Sequence, residues 1–326
     1  MFYKLGCWLA VLLLLAGQAP AQPSPVQKDS FRIVGYYSLK AAMDKPPSEV
    51  PFAELTHVNL YFLNPDSLGN FRQDYSALKP FIAAAHAQGV KVLVSIAGGG
   101  KHPYYARLLQ DDHREALVSN LVAIVKRYGL DGIDVDIEGG DIDENYDNFV
   151  LELSKALKQQ DKLITAAVAV FYKGAYTDRE LSAFDFVNVM SYDHTGPWEP
   201  DKPGPHATYG EAVSDLDYFT TERAMPAGKL GLGVPFYGYA FGATPDVPVS
   251  GMSYREIAEK FPGAESKDSW VLPDGRILYY NGIPTIKKKT KLAKRQASGI
   301  MIWQLSGDAP GDKSLLKAIR EAASGQ

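Results

Sequence analysis

The sequence predicts an α/β protein: a (β/α)8 TIM barrel with a small subdomain inserted between its seventh strand and seventh helix. Three observations carry this. Short runs of β-branched, aliphatic and aromatic residues recur along the 326 residues, and helical patterns with apolar residues at three- and four-residue spacing lie between most of them. One connection, about fifty residues with its own Gly, Pro and aromatic punctuation, is too long for a plain loop. Eight strand–helix repeats over this length fit a closed barrel.

Taken in order, residues 1–21 read as a secretory signal peptide, with Lys4 in a short n-region, an apolar run over 5–15, and Ala19-Pro20-Ala21 as a small-residue cleavage site. The apolar run is well short of the ~20 residues that cross a bilayer. A polar, proline-containing leader follows over 22–31, and the barrel occupies 32–326. Its strands are expected at 33–37, 56–62, 91–96, 132–137, 163–170, 186–191, 230–235 and 300–304. Helices are expected at 75–88, 114–128, 143–158, 210–223, 285–296 and 313–323. The insertion is expected over 241–282, on the face where barrel active sites lie, walling a cleft. In the helix after it, Lys287, Lys288, Lys289, Lys291, Lys294 and Arg295 are read as a solvated face, with Ile286, Thr290, Ala293 and Ala297 inward.

Composition narrows the function. A formal net charge of −4 leaves no basic footprint, which argues against nucleic acid as a partner. The only cysteine, Cys7, falls in the signal segment, so the mature chain has no thiol chemistry and no disulfide, and stability must come from the core. The six histidines show no metal-ligand spacing. Asp141-Ile142-Asp143-Glu144-Asn145, with Glu152 eleven positions on, has a superficial calcium-loop spacing, but Tyr146 stands where the loop needs glycine. No metal and no cofactor are expected. The chain is expected to be a monomer, secreted or periplasmic, with no membrane association after signal cleavage.

The chemistry is concentrated in one run. From Leu130 to Glu138 acids alternate with aliphatics at a strand's period of two, so Asp134, Asp136 and Glu138 share one face and Ile133, Val135 and Ile137 the other. Ionised carboxylates out of water cost several kcal/mol unless paired, so a strand that only packed would carry Val or Ile there. Glu138 ends the run, at the C-terminal end where barrel enzymes carry their catalysts. Asp136 and Glu138 are expected side by side, roughly 6 to 7 Å apart, and so cannot flank a sugar from opposite faces as a two-carboxylate glycosidase requires. If Glu138 protonates a leaving oxygen, the nucleophile is either another strand's acid, such as Asp193, or the substrate's own 2-acetamido carbonyl. Crowding of three carboxyls favours a retained proton on at least one of them. A structural hydrogen-bond network at the barrel centre is the plain alternative for Asp134 and Asp136.

These residues resemble glycoside hydrolase family 18, the chitinase-like barrels, over nearly the whole mature chain. Asp131-Gly132-Ile133-Asp134-Val135-Asp136-Ile137-Glu138 is similar to the family's D-x-x-D-x-D-x-E on the fourth strand. That resemblance implies Glu138 as acid/base, Asp136 as its acetamido-orienting partner, and Asp134 as a deeper residue able to share a proton. Met190-Ser191-Tyr192-Asp193 is similar to the sixth-strand M-x-Y-D, implying that Tyr192 hydrogen-bonds the acetamido oxygen, that Asp193 contacts the sugar and that Met190 lines the substrate site, with Gly196-Pro197-Trp198 following. Gly299-Ile300-Met301-Ile302-Trp303 resembles the last strand, whose tryptophan floors the pocket. Gly35-Tyr36-Tyr37 and Pro235-Phe236-Tyr237-Gly238 fit the first and seventh strands, adding Tyr36, Tyr237 and Trp198 as candidate substrate contacts. Ser95-Ile96-Ala97-Gly98-Gly99-Gly100 is the loosest match.

The resemblance implies a secreted, retaining hydrolase of β-1,4-linked N-acetylglucosamine oligo- or polysaccharides, acting by substrate assistance through an oxazolinium. An endo-β-N-acetylglucosaminidase acting on N-glycan cores and a non-catalytic carbohydrate-binding barrel are the alternatives. Three departures touch substrate contacts: Ala97 stands where the family usually has glycine, Asn188 where glutamine is common, and Tyr239 where arginine often follows the Tyr-Gly.

Overall fold

The computed structural model describes residues 31–244 and 246–325. The expected signal peptide (1–21) and all but the last residue of the expected leader (22–31) lie outside the described residues. Eight parallel strands close into a barrel: β1 (Arg32–Ser38), β2 (His57–Tyr61), β3 (Lys91–Ala97), β4 (Gly132–Asp136), β5 (Leu163–Val168), β6 (Phe186–Val189), β7 (Leu230–Pro235) and, last in the chain, β12 (Gly299–Trp303). β12 pairs with both β1 and β7, which completes the ring and leaves the barrel itself no unpaired edge.

Around the barrel run α1 (Leu39–Asp44), α2 (Lys79–Ala87), α3 (Tyr105–Leu108), α4 (Asp111–Tyr128), α5 (Tyr146–Lys158), α6 (Asp178–Ala183), α7 (Tyr209–Asp217), α9 (Ile283–Gln296) and α10 (Leu315–Ser324). Their ends are marked chemically. α4 begins with Asp111 and Asp112, ends with Lys126 and Arg127, and stops at Gly129 with φ +72°, each favourable to the helix dipole or its C-cap. Capping boxes Thr177/Glu180 and Thr208/Glu211 start α6 and α7. The expected helix 210–223 is divided, because α7 gives way at Tyr218 to a single wide turn over Tyr218–Glu222.

Between β7 and α9 the chain builds a four-stranded antiparallel sheet in the order β10-β11-β8-β9, from β8 (Tyr237–Phe241), β9 (Ser250–Ser253), β10 (Ser269–Val271) and β11 (Ile277–Tyr279), with α8 (Tyr254–Lys260) beside it. The sheet starts at Tyr237, earlier than the expected boundary at 241. A single residue, Phe236, separates β7 from β8, so no loop signal marks the change of sheet.

Two cores result. The outer one, between strands and helices, is aliphatic and aromatic, with Ile33, Val58, Val92, Val94, Ile133, Val135, Ile164, Val187 and Leu232 meeting Phe81, Leu121, Phe149, Leu153 and Leu216. The inner one is small, with Val34, Tyr36, Phe186, Tyr192, Ala207 and Met301 as its buried apolar residues. The buried side chains Asn59, Ser95, Asp134, Asp136, Thr165, Asn188 and Ser191 add its polar part. Gly233 on β7 makes room there, since a Cβ would lie 2.9 Å from the Tyr192 ring.

One expectation is corrected. Lys289 is not on the solvated face of α9; it is fully buried and its Nζ donates to the Ala207 carbonyl at 2.9 Å. It lies three residues from Ile286 and four from Ala293, on the helix's inward stripe, so spacing outweighs charge. Burial pulls its pKa down to about 8, partly offset by Glu211, Asp215 and Asp268.

Because the depressed folded pKa means that the folded chain sheds this proton before the unfolded chain does, Lys289 becomes less costly as pH rises from about 8 towards its unfolded value. The Ala207 carbonyl keeps a second donor, Asn281 Nδ2 at 2.8 Å. Lys289→Met is therefore expected to be neutral or stabilising at pH 7. Urea unfolding should show its advantage over the parent chain shrinking by on the order of 3 kcal/mol by about pH 10.5; a constant difference would contradict the assignment.

Candidate active site

Register explains how the acids are held. Asp134 on β4 sits level with Ser95 on β3 and Thr165 on β5, and level residues of neighbouring parallel strands point to the same side. Both hydroxyls donate to Asp134, Ser95 Oγ to Oδ2 at 2.8 Å and Thr165 Oγ1 to Oδ1 at 2.5 Å. The Tyr36 hydroxyl reaches in from β1 to Oδ2 at 2.5 Å. Burial raises the Asp134 pKa, and these donors pull it back. Asp134 is thus a satisfied buried group beneath the site.

Asp136, two residues on, is 3% exposed, and its Oδ1 accepts from no protein donor. Burial, then the charges of Glu138 and Asp134, push its pKa well up. The strand ladder ends at Asp136, but Glu138 continues in extended geometry (φ −126°, ψ 154°), which preserves the alternation and keeps it on the face of Asp136. Glu138 is half-buried at the wall of the cleft, and burial followed by the Asp193 charge raises its pKa to about 7.

The second acidic segment differs from expectation. β6 stops at Val189, so Met190, Ser191, Tyr192 and Asp193 lie beyond the strand, in a turn where Ser191 N donates to Val189 O at 2.8 Å. Asp193 takes a left-handed backbone (φ +62°), a conformation that costs roughly 1–2 kcal/mol for a non-glycine residue. Its Oδ1 accepts from the Tyr237 hydroxyl at 2.6 Å and contacts His206 Nδ1 at 3.2 Å. Ala97, where a glycine is usual in the resembled motif, is also left-handed at φ +66°.

These groups meet in a cleft of about 770 Å³ at the C-terminal ends of the strands, lined by Asp136, Glu138, Met190, Tyr192, Asp193, Trp198 and Trp303. Trp303 forms an aromatic floor with Phe62 (centroids 5.9 Å apart, planes 26°) and Tyr61 (4.8 Å). Phe171, Tyr172, His194, Glu199 and Lys202 complete the wall, and Phe171 and Trp198 stand exposed at its rim. A smaller cavity of about 360 Å³ adjoins it through Asp193 and Trp303 and is lined by Tyr237 and Tyr239. A separate cavity of about 600 Å³, near Tyr209, Asp268 and Lys288, contains none of these acids. The arrangement can donate a proton from Glu138 to a bridging atom held over the aromatic floor, with a second, buried carboxyl beside it.

Of the sequence-derived candidates, Glu138, Asp136, Tyr192, Asp193, Trp303, Met190 and Trp198 are brought to the large cleft and Tyr237 to its neighbour. Tyr36 is a correction. It is 1% exposed, lies beneath Trp303 (centroids 5.3 Å) and spends its hydroxyl on Asp134, so it supports an acid rather than meeting a ligand. Thr165, Phe62, Phe171, Tyr172 and His206 escaped the sequence reading. Thr165 was accessible through inward alternation on β5 and Phe62 through the strand expected at 56–62; Phe171, Tyr172 and His206 lie outside the barrel strands, without a periodic signal.

The profile of glycosyl hydrolases family 18 matches residues 32–308. Among solved structures, a GH18 chitinase from the chitin utilization locus of Flavobacterium johnsoniae is 34% identical, with 91% of this chain and 95% of that one covered and a TM-score of 0.81. A chitinase from Bacteroides thetaiotaomicron is 28% identical over 90% of this chain and 96% of its own, TM-score 0.77. A chitinase-like effector of Moniliophthora roreri is 30% identical over 284 residues, 76% of this chain and 70% of that protein.

Tyr36→Phe removes one of three hydroxyls from a buried carboxyl. Urea unfolding at pH 7 is expected to show a loss of about 1–3 kcal/mol, the range for a hydrogen bond to a charged or desolvated group; an unchanged midpoint would mean the contact contributes nothing.

Proposed function

The chain belongs to glycosyl hydrolases family 18, and from that membership we propose that it cleaves β-1,4-linked N-acetylglucosamine oligo- or polysaccharides by substrate-assisted catalysis, with retention. As a chitinase-like glycoside hydrolase it needs an acid that keeps its proton near neutrality. The observation that carries the reading is Glu138, whose pKa is raised to about 7 by burial and by the Asp193 charge, in one cleft with Asp136, Tyr192 and Trp303.

In the first step the 2-acetamido oxygen bonds to C1 as the C1–O bond to the departing sugar breaks, and Glu138 gives its proton to that oxygen. Asp136 accepts from the acetamido N–H and, as it yields its proton towards Asp134, stabilises the positive charge that develops in the oxazolinium. The Tyr192 hydroxyl, whose nearest protein acceptor is the weak Met301 Sδ at 3.8 Å, is available to the acetamido group. Trp303 stacks under the pyranose, whose C–H faces require an apolar platform. A water, deprotonated by Glu138, then opens the ring from the face the leaving group vacated. Asp134 holds the acid ladder in register from below. Substrate assistance suits acids on one face, because no second carboxylate has to stand across the sugar.

The signal-like segment at residues 1–21 supports export to the periplasm or the medium. Among the described residues no helix is long and apolar enough to cross a membrane.

Glu138→Gln is expected to lower turnover of an aryl chitobioside by at least about 100-fold, the usual contribution of a general acid. An aryl cellobioside, lacking the acetamido group, should not be turned over. Since the acid form of Glu138 is lost as pH rises through about 7, kcat/KM should decline above that pH. Equal rates for the parent and Gln variant, or turnover of the cellobioside, would remove the proposal.

A further inference from the structure

His206 is 1% exposed, and its Nε2 has no hydrogen-bond partner. A buried imidazole with one unsatisfied nitrogen is costly, and a position that served packing alone would carry Leu or Phe. The ring is held firmly: Tyr237 lies at 5.0 Å on one side and Tyr239 at 4.9 Å on another, and the residue's own carbonyl accepts from His194 N at 3.0 Å, closing the segment that leaves the barrel at Asp193. The one polar contact of the ring is Nδ1 to Asp193 Oδ1 at 3.2 Å, on the same oxygen that receives the Tyr237 hydroxyl at 2.6 Å. A carboxylate accepts and does not donate, so this contact requires the proton on Nδ1. Two donors on one oxygen from different segments fix the rotation of the carboxyl group, at a residue whose left-handed backbone would otherwise relax.

We propose that His206 is a positioning residue: its Nδ1–H, acting with Tyr237, locks the Asp193 carboxylate so that its second oxygen is presented to the sugar and its charge is held beside Glu138. The inference rests on the chitinase-like reading above and deepens it, since Asp193 is the group through which His206 acts. Loss of the clamp lets the carboxylate swing, and misplacing a group by about 1 Å can cost 100-fold in rate.

Asparagine and glutamine separate this role from packing, because the Asn amide nitrogen falls near the imidazole Nδ1 position and that of Gln near Nε2. His206→Ala and His206→Gln are expected to lose about 10- to 100-fold, carried by kcat rather than KM, while His206→Asn recovers most of that loss. Long-range proton–nitrogen spectra of the 15N-histidine-labelled parent chain should find His206 protonated at Nδ1. A ring protonated on Nε2 alone, or an Asn variant no better than the Gln variant, overturns the proposal, and so does an Ala variant within about twofold of the parent. If the Ala variant does not fold, the Asn/Gln comparison still decides. Glu138→Gln assayed in parallel reports on the hydrolytic reading separately: full activity there removes the reaction, while the nitrogen spectrum still tests the contact.

Discussion

A buried acid that must not be left unsatisfied is the constraint around which this barrel is arranged. Asp134 lies at the centre with no access to water, and its carboxyl is tolerable because Ser95, Thr165 and Tyr36 arrive from β3, β5 and β1 with hydroxyl donors. That arrangement requires the three strands to hold one register, which the closed ring supplies. Once Asp134 is anchored, the period of two carries Asp136 and Glu138 upward on the same face, each less enclosed than the one before. The gradient has chemical content: a satisfied carboxyl at the bottom, one without a protein donor and with a strongly raised pKa in the middle, and one raised to about 7 at the cleft wall. Burial is the largest cause at every step; hydroxyl donors come next and oppose it at Asp134, while the charge of neighbouring acids comes next and adds to it at Asp136 and Glu138.

The loop after β6 meets the same cleft from another side. Asp193 pays for its position in backbone strain and receives two donors on one oxygen in return. Its charge then contributes to the raised pKa of Glu138, so two segments far apart in sequence are joined electrostatically. The family membership and the geometry converge here from independent directions, because the profile match says nothing of distances and the distances say nothing of kinship.

Much of this was legible in the chain itself. The eight-strand barrel and the acid ladder follow from periodicity, because alternation and helical spacing are local properties; the insertion after β7 shows only as a connection too long for a loop, which does not say that it forms a sheet. Tyr36 was misread because its motif identifies a strand and not how far a hydroxyl reaches; it crosses the interior to Asp134. Lys289 was misread because a run of lysines looks solvated, although its spacing from Ile286 and Ala293 points inward. His206 and Phe171 were invisible for a different reason: loop geometry follows from tertiary closure and leaves no repeat to find. The strand β6 was drawn too long because hydrophobicity continues past Val189, whereas the turn at Asp193 depends on a backbone angle that composition does not encode.

The separation of the two cores has an evolutionary corollary. Cohesion of the molecule comes mostly from the greasy shell between strands and helices and from the satisfied Asp134 below, while the reactive groups lie at the cleft end of the small polar interior. Substitutions at that cleft end, at Glu138 for example, can therefore abolish turnover and leave a sturdy sugar-grasping scaffold behind. An architecture partitioned in this way lets descendants trade cleavage for recognition without having to reinvent how they fold.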